Sequence, residues 1–212
     1  MTQRLVIISG PTACGKDVIT EELLRRFPVL TRVVTATTRP KRRDDRHGVD
    51  YFFESKEHFE RMIAAGELME WAVVHGNYYG LPKAALTSVI AADRVPILTI
   101  DVQGEITVKK TYPDTFSIFL YPEPWDAYFE RLVADRGSEK NFAARVESIR
   151  HELEESRHYD TVLPNHEGRL QETTDAVVDV VATYLDVKPL PAFSPPPIPP
   201  PAAPTRPVPI GR

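Results

Sequence analysis

The chain has 212 residues with a hydrophobic fraction of 42%, which suits one α/β domain with insertions and provides enough apolar side chains for a core. Its formal net charge of −4 argues against a nucleic-acid partner, because nucleic-acid-binding proteins are usually basic. The single cysteine, Cys14, excludes an internal disulfide and fits a reducing, cytoplasmic compartment, and the lack of an apolar run of about 18 residues predicts no membrane partner.

The first predicted strand leads through a glycine-rich loop into a helix. Residues 5–8 are apolar and mostly β-branched, as in a buried strand, and residues 17–26 have the apolar period of a helix. The helix face that we expect to be buried comprises Val18, Ile19, Leu23 and Leu24.

The loop between them, G-P-T-A-C-G-K-D, is predicted to bind the phosphates of ATP. Its two glycines allow the backbone to curl without Cβ clashes, so that successive N–H groups and the helix N-terminus point at a phosphate. Lys16 is then placed to reach the β and γ oxygens. The predicted ATP ligands are Gly10, Pro11, Thr12, Ala13, Cys14, Gly15, Lys16 and Asp17. The alternative is a tight strand-to-helix turn that carries an exposed lysine.

A second anion site is predicted in the charged segment 36–53, which follows a strand expected at 31–35. Arg39 and Arg42, together with Tyr51, suit a dianionic monophosphate, because arginine matches phosphate oxygens with two parallel hydrogen bonds. The alternative for this segment is a solvated loop of mixed charge.

Six short motifs occur in an order and at spacings that resemble the guanylate kinase family. They read G-P-T-A-C-G-K, T-T-R-P-K-R, G-V-D-Y-F-F, G-E-L-M-E-W, G-N-Y-Y-G and I-D-V-Q-G, and the resemblance covers roughly residues 4–183. This family transfers the γ-phosphoryl group of ATP to GMP, so the resemblance implies a nucleoside monophosphate kinase that takes GMP and also dGMP. It further implies an α/β fold with a P-loop NTPase-type parallel sheet core, helices on both faces, an inserted mixed α+β monophosphate-binding domain and a short lid.

By this resemblance, residues 1–186 form the kinase domain, with the monophosphate-binding insertion at 35–91 and the lid at about 136–145. Further helices are expected at 56–65, 82–91, 103–110, 125–135, 141–158 and 170–185. Further strands are expected at 69–74, 77–79, 95–100, 116–120 and 159–165. The apolar face of the helix at 125–135 comprises Tyr128, Leu132 and Val133. Residues 187–212 are rich in proline and are predicted to form a disordered tail, which is inert or binds an SH3-like groove.

The resemblance also implies which residues bind the two nucleotides. It assigns the phosphate of GMP to Arg39, Arg42, Tyr51 and Tyr79, with Asp45 as a nearby acid, and guanine to Thr35, Glu70 and Asp101. The catalytic residues that it implies are Lys16, Arg39, Arg136 and Arg145, the last two on the lid. Glu70 suits its role, because a carboxylate accepts hydrogen bonds from guanine N1–H and N2–H₂, whereas adenine offers no such pair of donors. The alternatives are that Glu70 lies on a half-exposed strand and that the lid arginines pair with surface acids.

Three positions depart from the family pattern. Leu81 replaces a Ser or Thr whose hydroxyl faces the base, and the loss of one neutral hydrogen bond, about 1 kcal/mol, is expected to weaken guanine binding roughly fivefold. Asp17 replaces the usual loop hydroxyl, and Thr99 replaces an acid near the water shell of Mg²⁺. We interpret this pair as a swapped metal site, in which the Asp17 carboxylate contacts Mg²⁺ and the Thr99 hydroxyl holds a coordinated water. The alternative is a decayed metal site in a binding protein.

Two other functions share parts of this pattern. Kinases of ribose bisphosphate in phosphonate breakdown also have G-K-D in the loop, and the phosphopeptide-binding guanylate-kinase-like domains of scaffold proteins also show T-T-R-P-K-R. The nucleotide motifs disfavour the first, and the intact Gly15 and Lys16 disfavour the second. The preferred hypothesis is therefore phosphorylation of GMP by ATP, with Mg²⁺ as cofactor.

Overall fold

The computed structural model of the chain describes residues 3–74, 76–138 and 142–191. In chain order, its strands are β1 (Leu5–Ser9), β2 (Leu30–Arg32), β3 (Ala36–Thr37), β4 (Phe52–Phe53), β5 (Leu68–Val74), β6 (Asn77–Pro82), β7 (Val95–Thr99), β8 (Thr115–Glu123) and β9 (Thr161–His166). Its helices are α1 (Lys16–Arg26), α2 (Lys56–Ala64), α3 (Lys83–Ala91), α4 (Val102–Thr111), α5 (Trp125–Arg136), α6 (Phe142–Glu155) and α7 (Leu170–Leu185).

The central sheet is parallel throughout and has β1 as its middle strand, in the order β2-β7-β1-β8-β9. All five residues of β1 are buried, and because successive side chains of a strand point to opposite faces, they contribute to two separate cores. Val6 and Ile8 pack with apolar residues of α1 and α7, whereas Leu5 and Ile7 pack with apolar residues of α3 and α4. The loop after β1 therefore begins at the carboxyl edge of the sheet, where ligands bind in folds of this kind.

The second sheet is mixed and has the order β4-β3-β6-β5. Strand β3 runs parallel to β4 and antiparallel to β6, which runs antiparallel to β5. Helix α2 covers this sheet through Phe59 and Met62, which form a small core with Leu68. The Thr37 hydroxyl donates to the Tyr78 carbonyl at 2.8 Å, which fixes β3 against β6 at the start of the charged segment.

The predicted α/β fold is confirmed, since a parallel sheet carries helices on both of its faces. Helix α7 has the predicted bounds, and the other elements predicted beyond residue 55 differ from the structure by at most three residues at an end. None of the helices within the described ranges is long and apolar enough to cross a bilayer.

The strand predicted at 31–35 is wrong in its extent, because two short strands of different sheets occupy this region. The chain leaves the central sheet after Val33, whose N–H donates to the Ile97 carbonyl at 3.0 Å. The carbonyl of Thr35 instead accepts the N–H of Phe52 at 2.8 Å in the second sheet. Alternation of apolar residues cannot show where a chain changes from one sheet to another.

Two predicted helix faces are wrong at one position each. Val18 is 53% exposed and Val133 is 44% exposed, while their neighbours Ile19 and Leu132 are buried. One residue turns an α-helix by about 100°, so a side chain at the edge of an apolar face lies in solvent when the packed surface is narrow.

The chain remains packed on the domain beyond α7. The N–H of Leu190 donates to the Arg26 carbonyl at 2.8 Å, at the end of α1. The rest of the predicted proline-rich tail, residues 192–212, lies outside the described residues.

Candidate active site

Four side chains from three elements bind the carbonyl oxygens of the loop between β1 and α1. Lys16 Nζ donates to the carbonyls of Gly10 and Pro11, at 2.5 and 2.7 Å. The next three carbonyls, of Thr12, Ala13 and Cys14, accept from the Tyr128 hydroxyl at 2.9 Å, Arg131 Nη1 at 2.9 Å and Asn165 Nδ2 at 2.6 Å, respectively. Five consecutive loop carbonyls are thus hydrogen-bonded within the protein.

Because the loop carbonyls point towards these side chains, several amide N–H groups of the loop point in the opposite direction. In a trans peptide the N–H points away from the preceding carbonyl, so the N–H groups of Ala13 and Gly15 point away from the side chains that bind Thr12 and Cys14. Helix α1 begins immediately afterwards, and Gly15 at its N-cap, with φ of 82°, has no side chain to cap it. The N–H groups of a first helical turn lack intrahelical partners, so loop and helix together present donors to an anion.

Gly10 is required by a close approach of two backbone segments. Its φ is +145°, which L side chains rarely adopt, and a Cβ atom there would lie 2.6 Å from the Leu120 carbonyl oxygen and 3.0 Å from Cys14 Sγ. Cys14 itself is 1% exposed and belongs to the core beneath the loop. Burial raises the pKa of its thiol above the ordinary value, although the charge of Lys16 opposes this, so Cys14 is a protonated packing residue.

Arg39 is held in place by an acid and two aromatic rings. Its Nη1 donates to Asp45 Oδ2 at 2.9 Å, and its guanidinium lies 5.5 and 5.4 Å from the ring centroids of Tyr51 and Phe53. Asp45 Oδ2 also accepts the backbone N–H of Arg42 at 2.7 Å. Burial alone would raise the pKa of Asp45, but these two hydrogen bonds outweigh it and hold that pKa below its ordinary value. Asp45 is therefore an ionised group that orients Arg39.

Tyr51 and Tyr79 lie beside this guanidinium, with their rings edge to face and 6.0 Å between centroids. Burial, followed by the negative charge of Asp17, raises the pKa of Tyr51 to about 12, so its phenol is a hydrogen-bond donor at neutral pH. Because Asp17 lies in the first turn of α1, its effect on Tyr51 places the start of α1 within electrostatic reach of the charged segment. The side chain of Arg42 is exposed.

Two carboxylates come together at the N-terminus of α4. Asp101 is the N-cap residue, and its Oδ1 accepts the N–H of Gly104 at 2.9 Å. Glu70 approaches from β5, where a Cβ atom on Gly104 would lie 3.2 Å from Glu70 Cδ. The glycine therefore provides space for the Glu70 carboxyl group. Burial, followed by the charge of Asp101, raises the pKa of Glu70 to about 8. Thr35 is also buried, in the link between the two sheets.

A third carboxylate, Glu152 on α6, was not among the predicted site residues. Burial raises its pKa to about 7, the positive charge of Lys16 opposes this shift, and the charge of Asp101 adds to it. Glu152 thus lies within electrostatic reach of both the loop lysine and the acid of α4. The apolar Ile149 and Leu153, three residues before and one residue after Glu152, were the sequence signal for an inward helix face, and the structure packs both in a core cluster.

Sequence reasoning also missed the contacts of Tyr128 and Arg131 with the loop. The apolar period correctly placed Tyr128 on a buried face but did not reveal the partner of its hydroxyl. A buried tyrosine usually hydrogen-bonds its hydroxyl, and this rule was the available signal.

The remaining predicted residues lie around the same loop or at the ends of α5 and α6. Thr99 ends β7 and is in register with Ile8 of β1, just before the loop. Arg145 on α6 is close enough for its charge to act on the Tyr128 phenol, and Arg136 is the last residue of α5. Residues 139–141 of the predicted lid lie outside the described ranges. Among the described residues, no group of three or more His, Cys, Asp or Glu side chains could hold a metal ion.

Comparison with known proteins agrees with this geometry. The family model described as guanylate kinase matches residues 2–184. The chain belongs to the guanylate kinase family. A guanylate kinase from Symbiobacterium thermophilum is 42% identical over 163 residues, which cover 76% of this chain and 77% of that protein. A guanylate kinase from Thermobifida fusca is 36% identical over 182 residues, which cover 85% and 91%.

A guanylate kinase structure also resembles this one. The crystal structure of guanylate kinase from Anaplasma phagocytophilum matches with a TM-score of 0.69 and 26% sequence identity, covering 86% of each chain. The resemblance inferred from six sequence motifs is therefore confirmed, and the guanylate kinase family supplies the fold as well as the motifs. The roles of individual residues stay predictions.

Replacing Gly10 with alanine should distort the loop and weaken ATP binding by about tenfold or more. A Cβ atom cannot lie 2.6 Å from a backbone oxygen, and strain of this kind costs about 1–3 kcal/mol. Titration calorimetry with Mg²⁺-ATP measures the effect. Gly66→Ala is the matched control, because Gly66 also has positive φ but nothing within 4 Å, so this variant should keep its ATP affinity. Equal ATP affinity in the Gly10 variant and the unmodified protein would contradict the expectation.

Proposed function

We propose that this protein transfers the γ-phosphoryl group of ATP to GMP, and to dGMP, and releases ADP and the nucleoside diphosphate. One observation carries the proposal. The first turn of α1, which begins with Lys16, lies within electrostatic reach of Tyr51, and Tyr51 is in contact with Arg39. Two anion-binding surfaces that face each other are what transfer between a triphosphate and a monophosphate requires.

The ATP side of the proposed site consists of residues 10–17. The bound carbonyls keep the loop open as an anion cradle, and Asn165 contacts the loop from β9. When phosphates bind, Lys16 exchanges its hydrogen bonds to Gly10 and Pro11 for bonds to their oxygens. The lysine therefore needs only a rotamer change to reach the ligand.

The GMP side combines the cationic segment with the acids near α4. Arg39, Arg42, Tyr51 and Tyr79 donate to the acceptor phosphate, with Asp45 orienting Arg39. Glu70, Asp101 and Thr35 receive the guanine base. The pairing of acidic acceptors with guanine N–H donors supports GMP over AMP, since adenine lacks the N1–H and N2–H₂ pair.

The transfer itself is a substitution at the γ phosphorus. An oxygen of the GMP phosphate forms the new P–O bond while the bond from the γ phosphorus to the β–γ bridging oxygen breaks, and ADP leaves with that electron pair. Lys16, Arg39, Arg136 and Arg145 stabilise the charge on the transferring oxygens. The acceptor phosphate is already anionic, so the reaction needs no general base.

A magnesium ion fits the residues present. Asp17 is exposed in the first turn of α1 and Thr99 lies beside the strand that enters the loop, so both offer hard oxygen donors near the triphosphate. Mg²⁺ is commonly held by one or two carboxylates together with substrate phosphates and water. When bound, the ion neutralises charge on the triphosphate oxygens. The same proposal places the enzyme in the cytoplasm, in keeping with its single buried thiol.

A panel of acceptors tests the proposed function. With Mg²⁺-ATP, the protein should phosphorylate GMP and dGMP but not AMP, UMP or ribose 1,5-bisphosphate, as measured by coupled ADP release. Lys16→Met should lower kcat at least a hundredfold, because one preorganised charged donor contributes about that much. Lys83→Met is the control, since Lys83 Nζ at the start of α3 also binds a backbone carbonyl, that of Gly66 between α2 and β5.

Two results would overturn this function. Turnover of the sugar phosphate alone would select a different small-molecule kinase. Tight GMP binding with no turnover, unaffected by Lys16→Met, would select a binding domain.

GMP affinity should weaken as the pH falls below about 8. Without ligand, Glu70 has a pKa of about 8, compared with an ordinary value of 4.5. Between these two pH values, the folded protein therefore keeps a proton on Glu70 that an exposed glutamate would lose. Guanine donors bind the ionised carboxylate, so below pH 8 binding must release a proton and the Kd rises as the pH falls. Calorimetry of GMP binding between about pH 6.5 and 8.5 avoids most of the titration of the phosphate, whose second pKa is about 6.

Glu70→Gln should bind GMP more weakly at pH 8.5 and lose this pH dependence. Glutamine has one carbonyl acceptor and no ionisable group, so both effects follow from the same carboxylate. An equally steep pH dependence in this variant would show that another group takes up the proton.

ATP binding should depend on Mg²⁺ more steeply in the unmodified protein than in Asp17→Ser. Without the metal, the carboxylate repels a phosphate charge by up to about 4 kcal/mol at 4 Å and an effective dielectric constant of 20. The affinity for ATP, measured with Mg²⁺ and with EDTA, gives the two slopes. Asp126→Ser, which changes an acid in the first turn of α5, is the control and should leave the dependence unchanged. Equal Mg²⁺ dependence in the Asp17 variant and the unmodified protein would remove Asp17 from the metal site.

A further inference from the structure

We propose that Tyr128 is a positioning residue for ATP, whose hydroxyl keeps the phosphate-binding loop in its anion-binding shape. The inference rests on the proposed function in one respect, namely that the loop binds the triphosphate. Tyr128 does not contact the reacting atoms and acts through the peptide group that follows Thr12.

The donor of this hydrogen bond is buried and the acceptor is partly buried. Tyr128 is 1% exposed, and its hydroxyl donates to the Thr12 carbonyl at 2.9 Å. Burial raises the pKa of this phenol well above its ordinary value, so the hydroxyl stays protonated and remains a donor.

The ring of Tyr128 fixes where the hydroxyl points. It packs with Leu132 of its own helix and Ile149 of α6, and its centroid lies 5.3 Å from that of Trp125. The Arg131 guanidinium lies over the same ring, 5.8 Å from the centroid, and donates to the Ala13 carbonyl. Residues 128 and 131 are neighbours on one helix face, so α5 binds two consecutive carbonyls of the loop.

Two bound carbonyls fix two successive peptide planes. Each plane carries the next amide, so the N–H groups of Ala13 and Cys14 are oriented by α5. The Cys14 N–H donates to the Pro11 carbonyl at 3.3 Å and closes the turn, while the Ala13 N–H is left on the side opposite α5. Without the phenol, the peptide after Thr12 can rotate, and its amide is no longer directed towards the ligand.

The test is Tyr128→Phe, which keeps the ring and removes only the hydroxyl. The KM and Kd for Mg²⁺-ATP should rise about five- to thirtyfold, because an unpaired, partly buried carbonyl disfavours the bound shape of the loop. The Kd for GMP should stay within about twofold, and hydrogen exchange of the amides at 12–15 should become faster.

Tyr184→Phe is the matched control for this experiment. The Tyr184 hydroxyl donates to the Asp114 carbonyl and accepts the Leu5 N–H at 3.2 Å, so this variant also loses hydrogen bonds of a phenol with the backbone, but away from the loop. It should lower the melting temperature while leaving the ATP affinity and the loop exchange unchanged.

Three results would overturn the role of Tyr128: an unchanged ATP affinity in Tyr128→Phe, an equal loss of ATP and GMP affinity, or the same ATP defect in Tyr184→Phe. If the unmodified protein does not bind Mg²⁺-ATP, the proposed function fails. Hydrogen exchange at the loop still tests Tyr128 in that case, because it needs no nucleotide.

Discussion

The hydrogen bonding of the loop carbonyls is the interaction on which the site depends. A peptide group is rigid, so a donor on each carbonyl determines where the following amide points. The donors to Thr12, Ala13 and Cys14 come from α5 and β9, and the most distant of them, Asn165, lies 151 positions along the chain from the carbonyl that it binds. The loop therefore takes its shape only when the central sheet and its helices are assembled. A glycine-lysine motif alone supplies the flexibility for this shape but not the shape itself.

The distribution of charge divides the site into two regions. Lys16 and Arg39 provide positive charge where phosphates are proposed to bind, whereas Glu70 and Asp101 come together where guanine is proposed to bind. Glu152 lies between these regions, within electrostatic reach of both Lys16 and Asp101. Burial raises the pKa of Glu70 to about 8 and that of Glu152 to about 7, so at neutral pH these carboxyl groups are held partly protonated. Such pKa shifts are frequent at functional sites. A ligand that donates hydrogen bonds to a buried carboxylate reduces the cost of keeping that charge away from water.

Much of the fold was predictable because its elements have strong local patterns. The strand at 5–8 is continuously apolar, and helix α7 has a clear period over its whole length, so each was found with little or no error. The change of sheets between β2 and β3 was not predictable, since the carbonyl of Thr35 pairs with Phe52, which follows a loop of mixed charge. In the candidate site, Lys16 and Arg39 belong to recognisable sequence motifs and could therefore be predicted. Tyr128 and Glu152 stand in ordinary amphipathic helices, and only tertiary contacts distinguish them from core and surface residues.

Strand β1 has a consequence for how the protein tolerates change. Its two faces belong to different cores, and its carboxyl end leads directly into the loop at Gly10. A small displacement of β1, caused by repacking on either side of the sheet, therefore moves the first residue of the proposed nucleotide-binding loop. A core substitution on either side of the sheet can therefore alter the position of Gly10 as well as the stability of the fold.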